Sequence, residues 1–574
     1  MGRLIALIPT DLSRSRLGLP SMLDGKLAGV SVLAHTVARV AAVGAVEKIV
    51  LVHPAGQDPL TLLQGVRIGK PVAAFADGAG LTDARHAMRT AARKWSLFAW
   101  RGGLGGATCY DELLPPGPLV AALLAHDAAS ALLVGADWCV VDPGWCDRVA
   151  AVHLENPQAF QMAFTQAPPG LAGVAVGRDL LAQMAEHGAT FGQLLAYNPL
   201  KPQADPIGRD VCVQISPAVR SCARRFIYDT LRDAAAIDRL ADALGPSFAS
   251  ADAAAVVAAS REAASGLARL PQQVTLELTP QRAVTGPVAP QHHVAIDRPP
   301  MTLELARRLL DELASEPDTA LTLGGLGDAL LHDGWERIVR AAHDAGVFGI
   351  TIETDLLVDD ATVDALLDLP IDVVSVRLNA DRAQTYARVC GRDGFAKVIA
   401  NLERLINGRN RRFSAVTSGG GATSGGGATC GGPWIVPRLV KTPDTLADME
   451  TFFDRWMHYT GHAVIEPPPE GCAADGVGIM PRQVIGDMPR PRRRPCRQAG
   501  GVRDSGGRLT VFSDGRVPYC DEDWLGRTPA GDANGAPLVD IWRRVLALVD
   551  ADGGDAVLCD ACRGWYGVSA AVPV

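Results

Sequence analysis

The chain has 574 residues, 48% of them hydrophobic, with 63 acidic against 55 Lys and Arg side chains and a formal net charge of −8. That length supplies about three domains with separate cores, and the mild acidity leaves no broad basic surface for nucleic acid. No apolar run is long enough to span a membrane, and no leader-like segment precedes the first strand-like run, so a soluble, cytoplasmic protein is expected.

Arg3 to Pro9 reads as a buried first strand, Val30 to Val43 as a helix after a long loop, and Ile49 to Val52 as the second strand. Strand, loop, helix, strand argues a doubly wound α/β unit with a ligand site over the C-terminal end of its first strand. Ala131 to Val134 adds a strand and delivers Asp137 just past its end, where an acid suits a hydrated magnesium ion beside a nucleotide. Arg101 to Gly106 is glycine-rich without a following lysine and reads as a mobile loop; Gln166 to Gly173 is a rigid turn.

From Leu4 to about Asp142 these segments resemble the sugar-nucleotide cytidylyltransferases of the CMP-KDO synthetase type. The resemblance implies a nucleotidyltransferase-like domain over residues 1–230, a phosphate-facing role for Arg16 and a magnesium-binding role for Asp137. Two positions depart from the family: Asp11 stands where it carries an arginine, and Leu19, before Pro20, where it carries a lysine. A nucleoside triphosphate needs cationic partners, so a carboxylate in that loop argues against triphosphate chemistry.

From residue 231 to 270 the chain turns alanine-rich, which favours helix without supplying much core, and a helical linker is expected. Beyond Leu270, Val274–Leu278, Leu303–Leu313, Ala320–Leu323, Trp335–Ala345, Gly349–Ile352, Asp372–Val376 and Gly394–Ile406 alternate strand with helix. Repeated βα units of this spacing indicate a parallel sheet, most simply a partial (β/α) barrel over residues 271–465 with its working face at the strands' C-terminal ends. Residues 414–432 are a Gly-rich insert with too little apolar surface to fold.

Gly324-Gly325-Leu326-Gly327-Asp328, Val374 to Ala380 and Val436 to Lys441 resemble strand ends of radical S-adenosylmethionine (SAM) proteins. The resemblance implies SAM held at Gly325 and Gly327, with Asp328 receiving its amino group; a turn acid or helix N-cap is the plain reading of the same residue. Reductive cleavage of SAM requires a cluster on three thiolates, CxxxCxxC, with one iron free. The loop after the first barrel strand, Thr279 to His293, contains no cysteine. Adjacent imidazoles rarely converge on one metal, so His292 and His293 read as ordinary loop histidines, and Cys390 and Cys430 as buried structural thiols.

The last eighty residues carry Cys496, Cys520, and the CxxC pair Cys559 and Cys562. A CxxC turn points two thiolates at one centre, and two more from distant loops complete a four-sulfur shell. Arg508 to Phe512 is strand-like, Ser513 to Arg516 a hairpin-turn signal, and Leu538 to Leu546 a helical run. This order resembles the SPASM-type auxiliary cluster domain of radical SAM proteins, which implies one 4Fe-4S cluster within residues 466–574. A structural zinc on the same sulfurs is the alternative.

The expectation is thus an α/β chain: a doubly wound front domain, a central partial barrel of radical SAM type, and a small cysteine-ligated domain. Its leading function is a radical SAM/SPASM-like iron-sulfur protein with a degenerate SAM-cluster site, linked by resemblance to a small-molecule or carbohydrate substrate. A nucleotidyltransferase-like transferase on an activated sugar or acid is the second reading. Radical chemistry with cysteines or a cluster from a partner chain is the third. No catalytic residue is assigned.

Overall fold

The computed structural model describes residues 3–82, 85–197, 201–262, 270–316, 318–417, 432–466 and 507–550. They form a mixed α/β protein in two compact units, one running to Leu267 and the other from Ala268.

The first unit holds β1 (Leu4–Pro9), β2 (Lys26–Leu27), β3 (Val30–Ser31), β4 (Ile49–Pro54), β5 (Val72–Asp77), β6 (Ser130–Leu133), β7 (Met162–Thr165), β8 (Val174–Gly177) and β9 (Cys212–Val213). Seven of these make one sheet in the order β5-β4-β1-β6-β8-β7-β9, with β5, β4, β1 and β6 parallel and β8 antiparallel to both neighbours. Every residue of β1 is buried, as a central strand covered on both faces requires. Connections leave β1 and β6 in opposite directions, which opens a crevice at their C-terminal ends.

The helix expected from Val30 starts at Val32, because the Ser31 hydroxyl accepts from Ala34 N and caps it while Val30 and Ser31 pair with β2. The alanine-rich stretch holds helices Leu231–Leu244 and Ala253–Glu262. Ala234, Ile237, Leu240, Phe248, Val256 and Val257 join the core of the first unit, and Arg39 donates to the carbonyls of Phe248 and Ala251. Alanines interleaved with Ile237 and Leu240 form a packing face there, where a spacer between domains was expected.

In the second unit, β10 (Gln273–Leu276), β11 (Ala320–Leu323), β12 (Ile350–Thr354), β13 (Val373–Arg377), β14 (Trp434–Val440) and β15 (Val464–Glu466) lie side by side in chain order, all parallel. Right-handed crossovers between neighbouring strands put every connecting helix on the same side. Leu276, Leu323, Ile352, Val374, Ile435 and Leu439 point to that side, are fully buried, and share a core with Leu309, Val339, Leu366, Leu402 and Phe452 from five helices. The other face carries Thr275, Thr322, Thr351, Glu353, Ser375, Arg377 and Arg438, with Val373, Trp434 and Val436 among them.

One strand changes place relative to the sequence reading. β16 (Arg508–Val511), expected to open the cysteine domain, pairs in parallel with β10, Gln273 opposite Arg508 and Leu276 opposite Val511. Without β16 the outer side of β10 would leave its backbone unpaired, and a short strand with buried Leu509 and Val511 satisfies it. Gly515, at φ +91, turns the chain, and β17 (Arg516–Pro518) then pairs antiparallel with β18 (Pro529–Asp532), where a hairpin with β16 was expected.

Candidate functional site

Two places collect buried polar chemistry, one in each unit. In the first, the chain leaves β6 through Gly135, where a Cβ would lie 2.3 Å from Trp138 Nε1, so glycine alone fits beneath the indole. Asp137 follows at the crevice between β1 and β6. Tyr228 N donates to the Asp137 carbonyl over 2.9 Å, which carries Asp229 in beside it. Burial, together with the Asp229 carboxylate, pushes Asp137 up to about 8.

Asp229 lies in the fork of Arg225: Nη2 donates to Asp229 Oδ2 at 2.7 Å and to Glu112 Oε2 at 3.3 Å, and Nη1 donates to Asp233 Oδ2 at 2.8 Å. Arg93 Nε donates to Glu112 Oε1 at 2.8 Å, and both guanidiniums are fully buried. Asp137, Asp229, Asp233 and Glu112 therefore outnumber Arg225 and Arg93, an acidic excess that a proton or a cation would relieve. Asp229 was not singled out from sequence, because it stands ninety-two positions from Asp137 and nothing local marks it.

The nucleotide-side candidates are placed differently. Arg16 donates to the carbonyls of Glu112, Leu81 and Leu114, so those N–H groups anchor the loop and do not face a phosphate. The Asp11 carboxylate accepts from Ser13 N and Oγ and from Gln57 Nε2. Burial opposes its ionisation, but these hydrogen bonds outweigh burial and hold it below the ordinary carboxylate range. The first loop thus keeps a fixed negative charge. Arg101, expected in a mobile loop, is tied to Asp205 at 2.7 Å and lies over the Trp100 ring.

In the second unit the sheet face opposite the helices ends in a charged layer at the strands' C-terminal ends. Arg377 Nη2 lies 2.7 Å from Glu353 Oε2, Arg438 Nη1 2.7 Å from Glu353 Oε1, and Arg438 Nη2 pairs with Glu466. Burial opposes ionisation of Glu353, but the two guanidiniums prevail and hold it down to about 2. At the other edge Arg298 is doubly bonded to Glu277, 2.9 and 2.8 Å, and stacks over Phe512, which fixes β16 against β10.

Gly325 and Gly327 form a turn across this layer. Gly325 takes φ +82, a Cβ on Gly327 would sit 1.7 Å from the Thr279 carbonyl oxygen, and Arg377 donates to both glycine carbonyls. Asp328, 1% exposed, accepts from Leu330 N, Thr354 Oγ1 and Asp355 N at 2.8 to 3.0 Å. It is a turn cap that knits β11 to β12, with its carboxylate directed into the protein. Burial and the neighbouring Asp355 carboxylate push it up to about 6.

The loop Thr279–His293 is fastened at several points. Arg282 Nε donates to Asp355 Oδ2 at 3.0 Å, and that pair is almost wholly buried. Gly286 N donates to Cys390 O at 2.9 Å, so tightly that a Cβ on Gly286 would lie 2.3 Å from Gly391 N. His292 Nδ1 and His293 Nε2 lie 3.0 and 2.8 Å from the carbonyls of Thr285 and Pro287 in their own loop. With no thiol, and with both imidazoles turned to backbone, this loop does not fit a SAM-cleaving cluster.

Of the four tail cysteines, Cys496, Cys559 and Cys562 lie outside the described residues, as does most of the Gly-rich insert. Cys520 is half-buried on a loop that Asp523 fixes by accepting from Arg527 N and Thr528 N at 2.9 and 2.7 Å. Among the described residues no group of three or more His, Cys, Asp or Glu side chains could hold a metal. No helix among them is long and apolar enough to cross a membrane.

No family model matches the chain. A stretch of 132 residues, 23% of the chain, is 29% identical to an uncharacterised protein of Treponema pallidum, and the chain covers about a third, 34%, of that relative's length. Similar solved structures include BtrN in complex with AdoMet and 2-DOIA, 14% identical, covering 51% of this chain and 92% of that one at a TM-score of 0.32. SuiB of Streptococcus suis bound to its precursor peptide SuiA is 12% identical, covering 51% and 70% at 0.36. A cytidylyltransferase of Leptospira borgpetersenii is 10% identical, covering 46% and 95% at 0.32. Likenesses this low establish neither family nor activity.

Proposed function

We propose that the second unit is a radical SAM-like scaffold that does not cleave SAM, and that the chain carries one 4Fe-4S cluster, with zinc as the alternative, on Cys496, Cys520, Cys559 and Cys562. The observation behind this reading is the loop Thr279–His293: it stands where three thiolates would be needed and is closed by Arg282–Asp355 and by the Gly286–Cys390 contact. Cys520 is half-buried on a loop ordered by Asp523, which supports a ligand role for that residue. A bound cluster there would supply structure or electron relay.

Anaerobically purified protein is expected to hold about four irons per chain. Cys559→Ala is expected to lose the whole electron paramagnetic resonance signal, and SAM titration by calorimetry to proceed without 5′-deoxyadenosine. A surviving iron signal in the variant, or turnover of SAM, would defeat the reading.

A second reading has its own support in the first unit, where Asp137 and Asp229 supply two carboxylates at the crevice of a doubly wound sheet. Magnesium is commonly held by one or two carboxylates, with waters filling the remaining positions. The ionised Asp11 and the inward-turned Arg16 weigh against a triphosphate as the bound nucleotide. Manganese, followed by its relaxation effect on water protons, is expected to bind the whole chain and to lose about tenfold or more in affinity in Asp137→Asn, as loss of a charged ligand entails. CTP, magnesium and acidic sugars are expected to give no pyrophosphate. Equal manganese affinity in the variant removes the site.

A further inference from the structure

The glycine turn after β11 is filled from within the chain. Arg377 ends β13 and reaches across β12, where its Nη1 donates to Gly327 O at 2.9 Å and its Nη2 to Gly325 O at 2.6 Å. The same Nη2 lies 2.7 Å from Glu353 Oε2, which also accepts from Gly325 N at 3.3 Å. Two backbone carbonyls and a carboxylate thus converge on one guanidinium, an acceptor set that suits a small cation with several N–H donors. The turn has no room to retreat, because Gly327 is packed against the Thr279 carbonyl with no space for a Cβ.

The resemblance implies that this turn and Asp328 take the amino group of SAM, and the residues present do not fit that group. Asp328 is turned inward on Leu330 N, Thr354 Oγ1 and Asp355 N, and the two glycine carbonyls already hold Arg377. The charges agree. Arg377 and Arg438 stand against Glu353 and Glu466, so the layer is neutral as it is built. SAM carries a sulfonium and an ammonium against one carboxylate, and this net cation gains no counter-charge there while Arg377 stays. We infer that Arg377 is an internal occupant of the ammonium position at this turn, and that SAM reaches it only by displacing the guanidinium.

The inference rests on the reading of the second unit as a radical SAM-like scaffold, and the two fail separately: formation of 5′-deoxyadenosine would overturn that reading at any affinity, whereas affinity alone decides the occupant. Arg377→Ala removes the occupant and leaves Glu353 paired with Arg438, so no buried carboxylate is stranded. SAM titrated by calorimetry into the full chain is expected to bind the variant about tenfold or more tightly than the wild type, because an occupied site lowers apparent affinity by the fraction that is open. 5′-Methylthioadenosine, which lacks the amino-acid portion, is expected to bind both proteins alike, and ethylguanidinium to compete with SAM in the variant. Nitrogen-15 NMR reads the same contact in the wild type: the Arg377 Nε resonance, assigned by its loss in Arg377→Lys, should be protected from solvent exchange and lose that protection as SAM is added. No gain in SAM binding by Arg377→Ala, undetectable binding by both proteins included, would overturn the inference. So would an equal gain for 5′-methylthioadenosine, or an Arg377 resonance that exchanges freely before SAM is added.

Discussion

Replacing Arg225 by methionine is expected to cost the first unit about 3–5 kcal/mol, the range for removing one partner from a buried ionic cluster. The guanidinium is fully buried and is the shared cation of Asp229, Asp233 and Glu112. Without it Asp229 and Asp233 lose their shared cation beside Asp137, and Glu112 is left to Arg93, in a medium that does not solvate charge. Amide hydrogen exchange should report faster opening of 130–137 and 225–233 while peptides of the second unit keep their protection. Acid should partly rescue the variant, because protonation removes the repulsion as pH falls. Unchanged exchange in these segments, or a loss that acid makes worse, would show that the cluster does not hold this unit together.

Arg282→Met is expected to release the loop Thr279–His293, lowering its exchange protection by about a hundredfold, equivalent to about 3 kcal/mol of local stability. The pair it breaks is buried, and the bereft Asp355 lies against Asp328. The sign of the pH response is set by Asp328. Its carboxyl is raised from 3.8 to about 6 in the folded protein. The stability this group contributes is therefore complete below its unfolded value and is lost as pH rises through about 6. Loop protection in the wild type should fall as pH rises from about 4 to about 6, and further in the variant, where the Asp355 carboxylate beside Asp328 has lost its guanidinium partner. If the loop stays protected in Arg282→Met, the Gly286–Cys390 contact alone closes it.

Much of the strand content was legible because each strand is a short apolar run between turn residues, as in Leu4 to Pro9 or Ile350 to Ile352. The serial order of β10 to β15 followed from regular βα spacing, since one crossover hand puts every helix on one side. The pairing of β16 and the packing of the alanine-rich helices were not legible, for one cause. β16 and the alanine-rich helices were assigned by their neighbours in sequence, whereas pairing and packing are decided by which surface in space is still open: the outer edge of β10, and the face that takes Ile237, Leu240 and Phe248.

Site residues divide in the same way. The absence of thiols from Thr279 to His293 is a property of composition and could be read directly. Asp137 could be singled out as a candidate because a strand end is a local feature. A guanidinium after a first strand serves a phosphate or a carbonyl equally well, and only the fold placed the carbonyls of Glu112, Leu81 and Leu114 within reach of Arg16.

By itself, then, the sequence determined the α/β class, the lack of thiols from Thr279 to His293 and the acidic strand end, since each depends on residues that are neighbours along the chain. Only the tertiary structure decided that Asp229 joins Asp137, that Arg282 seals the loop, and that Arg377 reaches the glycine turn across β12. Such groupings bring together side chains separated by dozens to hundreds of residues, and the forces that select them, burial of charge and completion of hydrogen bonds, act through space.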